Sequence, residues 1–488
     1  MGAVATSREK TIAVLGAGPA GLGLAWRLVR RPSLQAKVVV VEQASDVGGL
    51  AASFVSQGLR FDYGSHRLHR ATPPEILSDI RALLGEDLLD RPRNGRILMQ
   101  GRFVKFPLQP VDLMLHLPPS FVVGFIGDIL RAPLRRRQRR PERTFADVLL
   151  RGLGPTMCQS FYFPYAHKLW GMGPEHIDAV QAQRRVAAMD TGKLLKKALA
   201  LLPGVRPPGA GRFFYPKRGY GQICQALAAA AREQGGEILL NARVTSLAFD
   251  PEGRRKVEVR WETTEGGHGG GAAVAADFVF STIPLPMLVS ALRPEVPRHV
   301  IRCAEELRYR GVILLYLVLR TERFSPYDAH YLPGQEMVAS RLSEPKNYSG
   351  TSEPQGVTGL CAEIPCTPGD ALWQTSDREL SGRLLLELER AGLPVTAPIV
   401  AVFSRRLTHA YPVYEVGFGT KLAAVESYLA TVPKIVSLGR QGLFAHDNTH
   451  HTLQMAYRAS ECLADDLNWN REAWRRHRKA FAKHVVED

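Results

Sequence analysis

The sequence predicts an α/β protein with a Rossmann-like nucleotide-binding domain and a second domain of mixed sheet and helix. Three stretches carry that expectation. Thr11–Leu15 is an apolar run stopped by glycine, the pattern of a short buried strand. Gly16, Gly18 and Gly21 follow in G-x-G-x-x-G spacing, and Leu22, Ala25, Leu28 and Val29 then recur at helical intervals. Lys37–Val41 is a second apolar strand, and it ends in Glu42.

Each part of this unit has a physical role. Gly16 allows the tight turn out of the strand, Gly18 lets backbone approach a pyrophosphate, and Gly21 lets helix and strand pack closely. The diphosphate then meets a helix N-terminus, where free N–H groups and the dipole favour negative charge. A carboxylate at Glu42 accepts hydrogen bonds from a ribose diol and repels a 2′-phosphate, which disfavours NADP.

The remaining composition bounds the function. A chain of 488 residues is long for one core, so two domains are expected. The formal net charge of +16 suggests an anionic ligand, a membrane surface or nucleic acid. Much of the excess is local: Arg131, Arg135, Arg136, Arg137, Arg139, Arg140 and Arg143 fall in one stretch. No aromatic residues interleave with them, so no nucleic-acid partner is expected. The six cysteines form no C-x-x-C and do not cluster with histidines at zinc spacing. They read as reduced thiols of a cytoplasmic protein, and no metal is expected. No signal peptide is expected, because the first apolar run is the nucleotide strand itself. The most apolar stretch, Val111–Leu130, is interrupted by Asp112, His116, Pro118, Pro119 and Asp128, so no transmembrane helix is expected.

Beyond Glu42, Gly48 and Gly49 follow a five-residue spacer. This E-x5-GG arrangement resembles the FAD-dependent flavin amine oxidase superfamily, which includes protoporphyrinogen oxidases and carotenoid desaturases. The resemblance implies a cofactor domain of the glutathione-reductase type, with FAD held by Gly16, Gly18, Pro19, Ala20, Gly21, Glu42, Gly48, Gly49 and Leu50. Leu50 stands where members often carry arginine. Leu59–Arg70 (LRFDYGSHRLHR) resembles a segment of protoporphyrinogen-oxidase-like proteins and the histidine loop of UDP-galactopyranose mutases. That places Gly64, Ser65, His66 and His69 near the flavin ring by resemblance. From the residues alone, these histidines read more readily as surface-loop residues than as a ligand site.

Ile76–Leu89 has helical periodicity, and Arg96–Pro107 reads as a hairpin turning at Gln100-Gly101. Thr144-Phe-Ala-Asp147 resembles a capping box. Phe161–Ile177 resembles a region of the same subgroup, and that resemblance places Tyr165 and Trp170 at a substrate cavity, although on composition alone such aromatics are more often core. Tyr215–Gly221 marks the return to the cofactor domain, followed by a helix over Gln222–Gln234 that ends at Gly235-Gly236. By resemblance, Val244 contacts the adenine and Thr282 lies beside the dinucleotide. Glu265–Gly271 reads as a hairpin tip. Between Arg302 and Leu393, the strand-like Gly311–Leu319 accompanies Arg341, Glu344, Asn347 and Glu363, polar groups for a cavity wall or a solvated edge. Near the end, Gly439 and Arg440 precede a helix capped by Asn448 or Thr449 and running to about Leu467. In the family that helix N-terminus faces flavin N1 and O2, where it stabilises an anionic reduced flavin by up to ~2 kcal/mol.

These readings assign 8–75, 212–290 and 400–470 to the cofactor domain, 76–211 and 291–399 to the substrate domain, and 471–488 to a tail. The implied activity is FAD-dependent oxidation of a small organic substrate by hydride transfer to flavin N5. His66, His69 and Arg440 are the catalytic candidates, and Tyr165, Trp170 and Arg341 the substrate contacts. Two alternatives stand beside it: a non-redox flavin-dependent sugar-nucleotide mutase, and a silent dinucleotide-binding protein. Residues 111–143 read either as a solvated loop beside a buried helix or as a peripheral contact with an anionic membrane.

Overall fold

The computed structural model describes residues 10–137, 141–186, 211–264 and 271–486. Its nucleotide-side layer is a five-stranded parallel sheet ordered Ile435–Ser437, Phe278–Ser281, Lys10–Leu15, Ala36–Val41, Glu237–Leu239. The strands come from three distant parts of the chain. Such a sheet is covered on both faces, which is why Val38 to Val41 can be an unbroken apolar run. Ile12, Val14, Val38 and Val40 pack into one core with the helices Pro19–Val29, Gln222–Glu233 and Thr449–Cys462. Ala13, Leu15, Val39 and Val41 pack into the opposite core with Leu285–Ala291, Arg298–Glu305 and Phe418–Leu429.

The second layer is a seven-stranded, mostly antiparallel sheet. Its order is Ile399–Pro412, Tyr309–Leu319, Thr358–Cys366, Arg341–Ser343, Ala329–Tyr331, Gly95–Met99, Arg102–Phe106. The Gly95–Met99/Arg102–Phe106 hairpin turns at Gln100 and Gly101, both at positive φ, as expected. A helical layer between Pro110 and Val186 shares a core with that hairpin, and Thr144 begins one of its helices with the expected capping box. Val244 lies on Ala242–Ala248, in a separate four-stranded sheet.

Several expected boundaries move. The helix expected over 76–89 spans Pro74–Leu84 and stops at Gly85. Leu88 and Leu89 instead join a strand paired with Arg212–Pro216. Ile399–Pro412 pairs with Tyr309–Leu319, so this opening of the third cofactor segment belongs to the seven-stranded sheet. Residues 292–307, expected on the substrate side, bury Leu292, Val296, Val300 and Leu307 against the parallel sheet. The last long helix ends at Cys462 rather than near Leu467. Residues 471–481 are no loose tail: Asn470 caps a helix over Arg471–Phe481 that buries Trp474 and Phe481. The expected hairpin tip at 265–270, and Arg139 and Arg140, lie outside the described residues.

Val111–Leu130 forms parts of two helices, Pro110–His116 and Pro119–Arg137. Its aspartates turn inward: Asp112 accepts the Lys105 N–H at 2.7 Å, and Asp128 pairs with Arg135 and accepts the Thr156 N–H. The outward face keeps Val123, Ile126, Leu130 and Leu134, which are 71, 44, 73 and 63% exposed and lie at helical spacing. No described helix is long and apolar enough to cross a membrane. All six cysteines are unpaired.

Candidate functional site

A cavity of about 860 Å³ runs between the parallel sheet and the seven-stranded sheet. Its nucleotide end is built from the first βαβ unit. Gly16 takes φ +95°, and a Cβ there would fall 2.5 Å from Thr282 Oγ1. Gly21 is closed more tightly, since a Cβ would stand 1.9 Å from the Gly16 carbonyl oxygen. Gly18 differs: an added Cβ meets no protein atom within 4 Å. Its backbone borders open cavity at the start of the Pro19–Val29 helix, whose first N–H groups have no side-chain cap. That is the cradle a diphosphate requires.

Glu42 is 9% exposed and already holds two backbone groups, accepting Ala17 N–H at 2.7 Å and Ala44 N–H at 2.9 Å. Carboxylate oxygens have further lone pairs for a ribose, and Glu42 lines the cavity. Gly49, Leu50, Val244, Thr282, Gly439 and Arg440 line it as well. Gly21 and Gly48 do not: Gly21 packs on Gly16, and Gly48 at φ +117° packs on Ala52 while donating to Ala17 O. A second helix N-terminus enters through Asn448, Thr449 and Thr452.

The far end carries the histidine loop. His66 Nε2 lies 3.0 Å from Tyr63 O, and its ring stacks on Tyr220. A carbonyl can only accept, so Nε2 carries the proton and Nδ1 is an unprotonated acceptor. Burial pushes the His66 pKa down, which keeps the ring neutral. His69 has the other tautomer, because its Nδ1 accepts the Ala71 N–H at 3.0 Å. Beneath them, Asp62 accepts from Ser53, Tyr215 and Tyr220 N–H, while burial raises its pKa.

Ser65, Tyr165 and Arg341 line the same space, as does Gly64. Trp170 does not line it; it is buried against Phe145 and His446 in the helical layer. Periodicity could not separate the two aromatics, which are five residues apart on one helical segment.

Of the charged lining residues, Arg341, Glu363 and Arg440 stood out in the sequence, whereas Arg67 and Arg185 carried no signal of their own. Arg341 is paired to Glu363, and Arg67 donates to Tyr331 and Tyr348 and faces Asp328 at 3.4 Å. Arg185 and Arg440 also line the cavity, with no carboxylate partner among the described residues. Arg440 is held by the carbonyls of Asp447 and Ala410, and burial pushes its pKa down. Asp447 meets His451 and His484 near this end, its Oδ1 3.3 and 3.2 Å from their Nδ1 atoms.

A diphosphate cradle, a carboxylate at the second strand, two helix N-termini and a chamber continuing past them define a flavin-dinucleotide protein. The chain belongs to the flavin containing amine oxidoreductase family, whose model matches residues 19–467. FAD is the cofactor this family implies, and the open backbone at Gly18 fits it. Protoporphyrinogen oxidase of Homo sapiens is 26% identical over 313 residues, covering 59% of this chain and 62% of that protein. The chain therefore matches less than two thirds of that relative's length. In fold, it resembles reduced UDP-galactopyranose mutase, with a TM-score of 0.76, 19% identity and coverage of 96 and 97% of the two chains. Putrescine oxidase is also similar, with a TM-score of 0.62, 16% identity and coverage of 93 and 98%.

Proposed function

We propose that this protein oxidises a small organic substrate held in the outer chamber, against the flavin end of the cavity. The observation that carries this reading is the continuity of one cavity from Gly18 to the Arg341–Glu363 wall. When bound, FAD would supply the redox chemistry as a hydride acceptor. Gly18, Pro19, Ala20, Gly49 and Leu50 would hold its diphosphate, Glu42 its ribose and Val244 its adenine. Gly439, Arg440 and the helix N-terminus at Asn448 would face the flavin. The unprotonated His66 Nδ1 takes the proton that leaves the substrate together with the hydride, and His69, in the opposite tautomer, offers a hydrogen bond without transferring its proton. Arg341 and Tyr165 orient the substrate. Anaerobic mixing with candidate substrates tests the reading: the correct one bleaches the flavin band, and His66→Asn slows bleaching by about 10²-fold or more. Unchanged bleaching in that variant removes the role of His66.

One observation favours a second reading, in which the flavin works without net redox change on a sugar nucleotide. Arg185 and Arg440 place on the cavity wall guanidinium groups with no carboxylate partner among the described residues, suited to a diphosphate. Isomerisation that requires pre-reduced flavin, with no lasting change in its spectrum, would select this reading over oxidation.

We also infer a peripheral contact with an anionic bilayer through 111–143. The Val123–Leu134 stripe supplies apolar area, and exposed Arg131 lies on the same helix. Six unpaired cysteines fit a cytoplasmic setting.

A further inference from the structure

Beyond the Arg471–Phe481 helix, residues 482–486 turn back to the cavity, and two contacts fasten them there. His484 Nδ1 lies 3.2 Å from Asp447 Oδ1, and the Val486 N–H donates to Arg184 O at 2.8 Å. Asp447 lies in the turn before the Thr449–Cys462 helix, whose N-terminus enters the cavity. Arg184 lies on the Ala179–Val186 helix, next to the cavity-lining Arg185. The segment therefore bridges two elements of the cavity wall. Val486 is 6% exposed and borders the cavity itself.

The first contact differs from an exposed ion pair. Asp447 is 2% exposed, and a buried carboxylate without a donor is costly. His451 Nδ1 accepts the Asn448 N–H at 3.3 Å, so it carries no proton to give. His484 is then the imidazole whose N–H Asp447 accepts. The His484 ring is also held from both sides: it stacks on His451 at 4.2 Å, with planes 13° apart, and packs 5.4 Å from Phe481. The second contact is a main-chain bond and fixes where residue 486 sits. Only Val485 separates the two latched residues, so about 7 Å of extended chain joins them. So short a span leaves no slack, and releasing either latch frees Val486.

We propose that residues 482–486 act as a strap that closes the cavity wall between the Ala179–Val186 helix and the turn at Asp447, with Val486 limiting entry to the flavin end. The proposal rests on the reading of the outer chamber as the substrate site and adds a residue that sets what reaches it. Val486 places an apolar side chain between the charged Arg185 and Asp447, both of which line the cavity. The strap also bears on the flavin side of the site. Asp447, which it latches, accepts from Arg440 through its own carbonyl at 3.0 Å. One short segment thus holds the wall beside the Ala179–Val186 helix and the turn that carries Arg440's acceptor.

The test uses FAD-loaded protein and iodide, at constant ionic strength, as a contact quencher of flavin fluorescence. His484→Ala releases one latch, and Val486→Ala keeps both latches but trims the side chain at the wall. Each should raise the Stern–Volmer constant at least twofold. Lys483→Ala, exposed on the same strap, also removes a basic side chain and should leave the constant unchanged. Circular dichroism identifies any variant that has failed to fold. A second measurement needs no variant: in the unaltered holoprotein, hydrogen exchange at the Val486 amide should be slowed, as for a closed contact. A freely exchanging Val486 amide, or unchanged quenching in folded His484→Ala and Val486→Ala proteins, overturns the strap. Quenching reads access and not chemistry, so its failure is distinct from failure of the oxidation reading, which shows as the absence of any substrate that bleaches the flavin.

Discussion

Arg341 and Glu363 stand directly opposite each other on adjacent antiparallel strands and join through two contacts, Nε to Oε1 at 2.9 Å and Nη2 to Oε2 at 2.7 Å. Glu363 Oε1 also accepts the Ser65 N–H at 2.7 Å. One ion pair therefore ties the wall of the seven-stranded sheet to the loop that carries His66.

Breaking this pair on either side should destabilise the protein, because a buried charge then loses its partner. Arg341→Met should cost about 3–5 kcal/mol, read from urea unfolding. Glu363→Gln keeps the Ser65 acceptor and should cost less, while freeing the guanidinium for an anion. The double variant should be more stable than the sum of single losses predicts. Strict additivity in the cycle would show that the two charges are not coupled.

Gly18 and Gly21 should fail differently. Gly18→Val points its side chain into open cavity, so the protein should fold with nearly unchanged Tm and lose its flavin absorbance. Gly21→Val drives Cβ into the Gly16 carbonyl and should prevent folding. A yellow, FAD-retaining Gly18→Val protein would contradict the placement of the diphosphate.

His330 should make stability depend on pH. Burial among Phe103, Phe324 and Tyr327 pushes its pKa down to about 4, and its Nε2 has no partner. The unfolded chain protonates near pH 6.5 and the folded one only near 4. The stabilisation is therefore complete above 6.5 and falls as pH drops through that window, by up to ~3 kcal/mol. His330→Leu should flatten this part of the urea-stability profile. An unchanged slope between pH 6.5 and 4 would refute it.

The exposed stripe makes the membrane contact measurable. Co-sedimentation should be stronger with anionic than with neutral vesicles and should weaken with salt, basic residues contributing about 1 kcal/mol each. Val123→Asp with Leu130→Asp should lower the bound fraction at least tenfold without changing Tm. Equal recovery with both vesicle types at low salt would leave a solvated helix face.

Some features were legible because they depend on neighbours in the chain. The strand, glycine loop, helix, strand and Glu42 form one local unit, and glycine spacing alone encodes the turn and the close approach. The Gln100-Gly101 turn and the Thr144 cap are local in the same way. Trp170 and Tyr165 were not separable, since both are aromatic and only packing decides which meets the cavity.

The sequence by itself determined the nucleotide-binding unit, its family and the apolar runs that become buried strands, because those follow from short-range sterics and periodicity. Only the tertiary structure decided that Ile399–Pro412 joins the second sheet, that Asp112 and Asp128 turn inward, that Arg341 meets Glu363, and that His484 reaches Asp447. Each of these is a contact between distant segments, chosen by burial and charge pairing in three dimensions, and no spacing along the chain records it.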